Sequence, residues 1–146
     1  IEMFLLIQDN SAEDSLRVAL QAYAKADLQL YQNKKEEALQ LFLAILQKHK
    51  GESIEEGTLF KVGKIYEEKG DFNKALTYYQ NILDNHKDGI YKDEALYFSA
   101  EIYRKHLLDN EKAKALYEKV VLEHPDSLYY TESRKQYRTL RGDSTI

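Results

Sequence analysis

The chain has 146 residues, of which 43% are hydrophobic and 32% are charged, and its formal net charge is −4. This length suits one domain with a continuous core. The small net charge does not favour nucleic acid as a partner, and the absence of cysteine excludes disulfides and thiolate metal sites. The longest apolar run, residues 3–7, is far shorter than the roughly 20 residues of a membrane-spanning helix.

Apolar spacing predicts helices joined by short turns along the whole chain. One proline and six glycines favour long helices, and no alternating strand pattern is visible. Residues 1–10 are interpreted as the remnant of a preceding helix, since residues 2–9 resemble residues 41–48. The chain also lacks an initiator methionine, so we expect a piece of a longer protein. The remaining helices are predicted at 12–32, 35–49, 53–69, 72–86, 91–107, 110–123 and 126–141, followed by a disordered tail at 142–146.

A repeat with a period of 37 to 38 residues runs through these helices. The same positions hold a small residue, an aromatic, an aliphatic and a histidine: Ala38, Ala75, Ala113; Phe42, Tyr79, Tyr117; Ile45, Ile82, Val120; His49, His86, His124. Equivalent points on stacked units lie about 10 Å apart, whereas zinc ligands lie about 2 Å from one ion. The three histidines are therefore interpreted as helix-end residues. No metal site and no cofactor is predicted.

The first half of each unit has its own pattern, clearest in the middle unit. Its residues are Leu59, Gly63, Tyr66, Gly70, Asp71 and Ala75. This pattern resembles the tetratricopeptide repeat (TPR), a helix–turn–helix unit, in the longer-period form of bacterial cell-envelope and assembly proteins. The resemblance covers residues 12–125, in units of about 12–50, 53–87 and 91–125. It implies an all-α, right-handed superhelix of about three helix pairs, with residues 126–141 as a C-terminal capping helix.

Small residues should let the two helices of each pair cross closely: Ala26 with Ala38, Gly63 with Ala75, and Ala100 with Ala113. The turns between paired helices differ. Asn33 replaces glycine in the first unit, and the third unit is one residue longer, so a slightly extended helix or a looser turn is expected at 107–110. Leu128, Tyr137 and Leu140 are predicted to cover the end of the last pair, before the tripeptide RGD at 141–143, which is interpreted as a helix end with a glycine stop.

The resemblance implies that the first helix of each pair lines a concave groove that binds a protein or peptide. The matching positions are Tyr23, Asp27, Tyr31, Phe60, Lys64, Glu67, Tyr97, Glu101 and Arg104. Tyrosine suits recognition because it offers a large contact area with a polar tip. In the alternative interpretation these tyrosines only pack between neighbouring helices. Asp27 stands where asparagine is expected in TPR domains that hold a peptide's terminal carboxylate, so binding of chaperone tails is not predicted.

Three classes of function remain open. The first is a non-catalytic scaffold that binds a protein or peptide partner of unknown identity. The second is a structural segment that caps a longer solenoid or self-associates through residues 3–7. An enzyme is disfavoured, since the sequence has no cysteine nucleophile, glycine-rich phosphate loop or GxSxG motif. The compartment stays open between cell envelope and cytoplasm, and the basic residues 134–141 fit a solvated cap or an acidic partner.

Overall fold

Seven α-helices and no strand make up residues 2–143, which a computed structural model describes, with side chains described from residue 13 onward. The helices are α1 (Glu2–Tyr31), α2 (Lys35–Lys48), α3 (Glu55–Glu68), α4 (Phe72–Asn85), α5 (Lys92–Lys105), α6 (Asn110–Glu123) and α7 (Tyr130–Arg141). Each helix packs against the next one in the chain, most extensively within the pairs α1–α2, α3–α4 and α5–α6. The predicted all-α solenoid of helix pairs is thereby confirmed.

The small residues predicted at the helix crossings are all buried: Ala26, Ala38, Gly63, Ala75, Ala100 and Ala113. Gly63 is the most constrained, because a Cβ atom there would lie 2.5 Å from Cε1 of the Tyr79 ring. The aromatic residue one turn after each alanine of the second helices is also fully buried. The two helices of a pair therefore approach closely at these positions, with the aromatic rings filling the space beside them.

The three turns inside the pairs each contain one residue with positive φ: Asn33 (63°), Gly70 (82°) and Leu108 (53°). The longer third turn thus places a leucine in the left-handed region, which costs about 1–2 kcal/mol in a residue with a Cβ atom. Two of the helices that follow these turns, α4 and α6, begin at side-chain caps. Asp71 and Asp109 accept hydrogen bonds from the backbone N–H groups three residues later, at 3.4 and 3.1 Å.

The repeated histidines end the second helix of each pair, as predicted. The backbone N–H of His49, His86 and His124 donates to the carbonyl four residues earlier. Their imidazoles have separate surroundings: His49 Nδ1 lies 2.9 Å from Glu52, and His86 Nε2 lies 2.9 Å from Glu55. Within the described residues, no three histidine, aspartate or glutamate side chains form a group that could hold a metal ion.

The first helix differs from the prediction. A remnant at 1–10 followed by a separate helix at 12–32 is wrong for the described backbone, because α1 runs without a break from Glu2 to Tyr31. Residues 2–31 contain no glycine or proline, the residues that most often interrupt the hydrogen-bond ladder of a helix. Neither α1 nor any other helix of the described chain has the length and apolar character that crossing a bilayer requires.

The last helix begins later than predicted, at Tyr130 instead of residue 126. Leu128 was expected to cover the third pair, but it lies in the preceding turn and is 94% exposed. Tyr137 and Leu140 do pack against the core of that pair. Gly142 ends α7 in the left-handed conformation, with φ of 91°, as the predicted glycine stop. Of the predicted tail, residues 144–146 lie outside the described part of the chain.

Candidate functional site

The nine predicted binding residues lie on α1, α3 and α5, which we call the first helices. Their exposure differs widely. Tyr31 is 89% exposed, whereas Glu101 is only 6% exposed and the other seven are half-buried. The set is therefore not a uniform open surface. Most of its members already contact neighbouring residues of the same chain.

On α1, two predicted residues connect to the rest of the fold. The ring of Tyr23 packs edge-to-face on Phe42, with 5.4 Å between ring centroids. Burial, and secondarily the nearby Tyr91 and Asp27, raise the pKa of Tyr23 to about 12, so its hydroxyl stays protonated and can donate. Asp27 lies 3.0 Å from the Lys61 ammonium on α3. This pair links the first helices of two successive units.

A row of five aromatic residues, the aromatic row, crosses from α3 to the start of α7: Phe60, Tyr91, Phe98, Tyr97 and Tyr129. Phe60 stacks on Tyr91 with 4.9 Å between centroids. Tyr97 stacks on Tyr129 at 4.4 Å, and Phe98 lies between the two stacks. The row therefore joins the second unit, the third unit and the start of α7 by ring contacts, each worth about 0.5–1.5 kcal/mol beyond area burial.

The two charged residues predicted on α3, Lys64 and Glu67, both contact neighbouring aromatic residues. The Lys64 ammonium lies 3.7 Å from the centroid of the Phe98 ring, a cation–π contact. The Tyr79 hydroxyl donates to Glu67 at 2.8 Å, and burial is the main cause that raises the pKa of Tyr79. Lys64 also lies 3.7 Å from the Glu67 carboxylate. Both α3 charges are therefore held by neighbours.

The buried carboxylate of Glu101 organises the α5 part of the site. Arg104 donates to it at 2.7 Å and the Lys105 ammonium lies 3.1 Å away. Burial alone would raise the pKa of Glu101, but the hydrogen bonds from Tyr97 and Lys105 and the charge of Arg104 outweigh burial and lower it. Arg104 also donates to the Tyr117 hydroxyl at 3.0 Å. Arg104 therefore orients Glu101 and connects it to Tyr117 through hydrogen bonds.

A small cleft of about 140 Å³ opens between α3 and α5. Its lining residues are Glu67, Tyr97, Phe98, Glu101, Ile102, Lys105 and His106. The structure thus brings three predicted residues, Glu67, Tyr97 and Glu101, to one cleft. The α1 residues and Phe60 are not part of its lining.

Sequence reasoning missed three residues of this surface: Tyr91, Phe98 and Tyr129. A signal existed for two of them, because Tyr91 and Tyr129 close the inter-unit loops DGIY and DSLY at equivalent positions, 38 residues apart. Phe98 gave no such signal, since the equivalent residue in α3 is Lys61. The combined surface offers flat rings, an ammonium and a carboxylate, which suits apolar and hydrogen-bonding contacts with a polypeptide.

The geometry agrees with comparisons to known proteins. The family model described as "Tetratricopeptide repeat" matches residues 58–89 and 94–127. The structure is similar to a tetratricopeptide repeat protein from Parabacteroides merdae, with a TM-score of 0.68 and 21% identity, over 91% of this chain and 52% of that one. The chain therefore spans about half the length of that protein, and at this identity the similarity concerns the fold. No curated protein matches the chain.

Proposed function

Because the chain carries tetratricopeptide repeats and has the fold of a TPR solenoid, we propose that it is a non-catalytic scaffold that binds a peptide or protein segment along its first helices. TPR repeats generally mediate protein–protein interactions. We further propose that the partner binds to the face formed by Phe60, Lys64, Tyr97 and their neighbours. Binding would rest on surface complementarity, without a covalent step.

The observation that carries this proposal is the aromatic row and the cleft beside it. Large rings held by stacking lose little entropy when a partner binds, because their positions are set beforehand. Tyr97 and the cation of Lys64 add polar contacts around an apolar centre, the composition of an interaction hot spot. The three predicted carboxylates of this face each lie near a lysine or arginine. We therefore expect shape and apolar contacts to determine the partner more than net charge does.

The test is selection of binding peptides from a displayed random library, followed by affinity measurement with variants. We expect Tyr97→Ala to weaken the selected peptides by at least about tenfold, which corresponds to about 1.4 kcal/mol. Tyr103→Ala is the matched control, because Tyr103 is also a half-buried tyrosine of α5 but lines a groove with Leu116 and Asn81. The proposal fails if both variants bind the selected peptides as tightly as the natural chain.

A structural role is the second candidate, favoured by the outer face of α7. Aligning Tyr129 with Tyr91 places Arg134 and Arg138 where α5 has the buried residues Leu96 and Ala100. A further helix could not pack there as α6 packs on α5, because it would bury guanidinium groups. Terminal units of solenoids need such a polar outer face. We therefore propose that α7 caps the array, whether or not the first helices bind a partner.

Fusing one more helix pair after α7 tests this capping role. We expect the added pair to leave the thermal midpoint unchanged in the natural chain. It should raise the midpoint when Arg134→Leu and Arg138→Ala are introduced together. A rise of the same size without these substitutions would show that α7 is not a cap.

A further inference from the structure

We propose that the segment bound by the aromatic row is rich in proline and adopts the polyproline II (PPII) conformation. This inference rests on the proposed function above and names the class of its partner. PPII is an extended left-handed helix whose carbonyl groups have no partner within the peptide. Grooves lined by aromatic side chains are a recurring surface for such segments. The rings of the face, its hydrogen-bond donors and their spacing all favour this ligand over other peptides.

The aromatic surface continues beyond the row onto α1. The hydroxyl oxygens of Tyr23 on α1 and of Tyr91 lie 3.8 and 3.7 Å from the position that a Cβ atom of Gly57 would occupy. Two tyrosines that are far apart in the sequence therefore converge beside a residue of α3 that has no side chain. The Tyr91 ring in turn stacks on Phe60. The face thus presents rings from α1 to the start of α7.

Two tyrosine hydroxyls of this face can serve as hydrogen-bond donors. Burial is the main cause that raises the pKa of Tyr23 to about 12, and it is also the main cause of the raised pKa of Tyr129. Both hydroxyls therefore keep their protons at neutral pH. No hydrogen bond contributes to either change, whereas burial and then a hydrogen bond to Glu101 raise the pKa of Tyr97. The hydroxyls of Tyr23 and Tyr129 can each donate to a carbonyl of a bound segment.

The predicted carboxylates of the face already have donors. Each has one within 3.0 Å, in the pairs Asp27–Lys61, Glu67–Tyr79 and Glu101–Arg104. A peptide in an extended strand must find acceptors for its N–H groups, and a helical peptide uses its carbonyls internally. Proline has no N–H, and its carbonyl stays free in PPII. A proline-rich segment therefore matches a face with free donors whose carboxylates are engaged.

The spacing of the rings also suits PPII. Phe98 lies between the stack of Phe60 on Tyr91 and the stack of Tyr97 on Tyr129. Its ring centroid is 6.0 Å from that of Phe60 and 5.5 Å from that of Tyr129, so these two rings are at most 11.5 Å apart. One three-residue turn of PPII rises about 9.3 Å, so prolines of successive turns can contact successive stacks. Both partners are ordered before they bind, which reduces the entropy lost.

Titration of a labelled oligoproline tests the proposal, with fluorescence anisotropy as the measurement. A peptide of about nine prolines spans roughly 28 Å in the PPII conformation, and a glycine–serine peptide of equal length is the control. We expect the oligoproline to bind with a dissociation constant below about 1 mM and the control peptide to bind at least about tenfold more weakly. The chain is held at a low, fixed concentration, because self-association through residues 3–7 is a separate prediction, and their side chains lie outside the described part of the structure.

Removal of two hydroxyls locates the site without removing a ring. We expect Tyr23→Phe and Tyr129→Phe together to weaken oligoproline binding at least about fivefold, the effect of losing two neutral hydrogen bonds. Tyr66→Phe with Tyr103→Phe is the matched control, because both are half-buried tyrosines of first helices. Tyr66 stacks on Tyr78 of α4, and Tyr103 lines a groove beside α4, away from the aromatic row. Equal binding by the natural chain and both double variants would overturn the proposal.

Peptides from the displayed library separate this inference from the proposed function. If the selected peptides bind and lose affinity with Tyr97→Ala, but the oligoproline does not bind at about 1 mM, the scaffold proposal stands and the proline-rich partner is wrong. If neither the selected peptides nor the oligoproline bind, the proposed function fails as well. Enrichment of proline at every third position of the selected peptides would support the inference directly.

Discussion

At the scale of single residues, Gly63 carries the tightest packing constraint among the small residues at the helix crossings. Its equivalents, Ala26 and Ala100, tolerate a methyl group, but at Gly63 the Tyr79 ring occupies the place of a Cβ atom. The ring cannot easily withdraw, because its hydroxyl is bonded to Glu67. We expect Gly63→Ala to reduce the free energy of unfolding by about 1–3 kcal/mol through overpacking, measured by urea denaturation.

Gly57 on the same helix is the control for this substitution. A Cβ atom at Gly57 would lie 3.6 Å from Tyr91, an ordinary contact. Gly57→Ala should therefore stabilise the chain by about 0.5–1 kcal/mol, because alanine loses less backbone entropy in a helix. If both alanines stabilise, the ring of Tyr79 does not constrain Gly63 as described.

Glu101 should make stability depend on pH in the acid range. The lowered pKa means that the folded state favours the carboxylate, so its contribution is present above the unfolded pKa and is lost as the pH falls through the folded pKa. We expect Glu101→Gln to reduce the free energy of unfolding by about 1–3 kcal/mol at neutral pH, because Arg104 loses its buried anionic partner. Denaturation at a series of pH values measures this difference, which should shrink from about pH 5 downward.

The exposed pair of Glu111 and Lys114 supplies the comparison. Glu111 is 85% exposed, and its carboxylate lies 3.4 Å from the Lys114 ammonium. Glu111→Gln should change stability by less than about 0.5 kcal/mol at any pH, because solvent screens such pairs. If Glu101→Gln changes the free energy of unfolding as little as Glu111→Gln does at every pH, the buried network does not make stability depend on pH.

At the scale of helices, the three second helices differ in how they begin. Asp71 and Asp109 cap α4 and α6 with side-chain oxygens, whereas Lys34 before α2 has a similar backbone conformation and no side-chain cap. We expect Asp71→Ala to cost about 1 kcal/mol and Lys34→Asp to stabilise by a comparable amount. Thermal denaturation of the two variants and the double variant measures this.

The double variant checks whether the caps act locally. Residues 34 and 71 lie in different units, so their effects should add within about 0.5 kcal/mol. A Lys34→Asp chain no more stable than the natural chain would mean that Lys34 or its ion-paired neighbours already satisfy the start of α2.

At the scale of the whole molecule, α7 packs against the third helix pair. Tyr137 and Leu140 pack against the cluster of Ala100, Ala113 and Tyr117, while Leu128 points into solvent. We expect Leu140→Ala to lower the free energy of unfolding by about 1–2 kcal/mol, since Leu140 is half-buried. Leu128→Ala should change it by less than about 0.5 kcal/mol, and equilibrium denaturation distinguishes the two.

Equal effects of the two substitutions would contradict the observed packing of α7. The Leu140→Ala chain also shows how far a local loss of packing spreads from one helix pair to the next. Because each unit contacts only its neighbours, Leu140→Ala should loosen the third pair more than the first. Hydrogen exchange of α6 amides against α2 amides would show that difference.

Sequence by itself determined the period, the close helix crossings and most turns of this protein. These features depend on short-range rules: small residues where axes approach, glycine or asparagine where φ is positive, and aspartate at a helix start. Buried Ala38, Ala75 and Ala113 follow from such rules. The uninterrupted α1 obeys the same rules. The boundary predicted within it came from resemblance to another segment and not from a local breaking residue.

The tertiary structure alone decided which side chains meet between units. Phe98 under Lys64, Tyr129 on Tyr97 and the burial of Glu101 depend on how far each helix pair rotates relative to the one before it. That rotation arises from the packing of many side chains across two pairs, and no single residue spacing specifies it. The exposure of Leu128 has the same cause. This residue lies in the loop before α7, and the path of that loop sets the direction of its side chain.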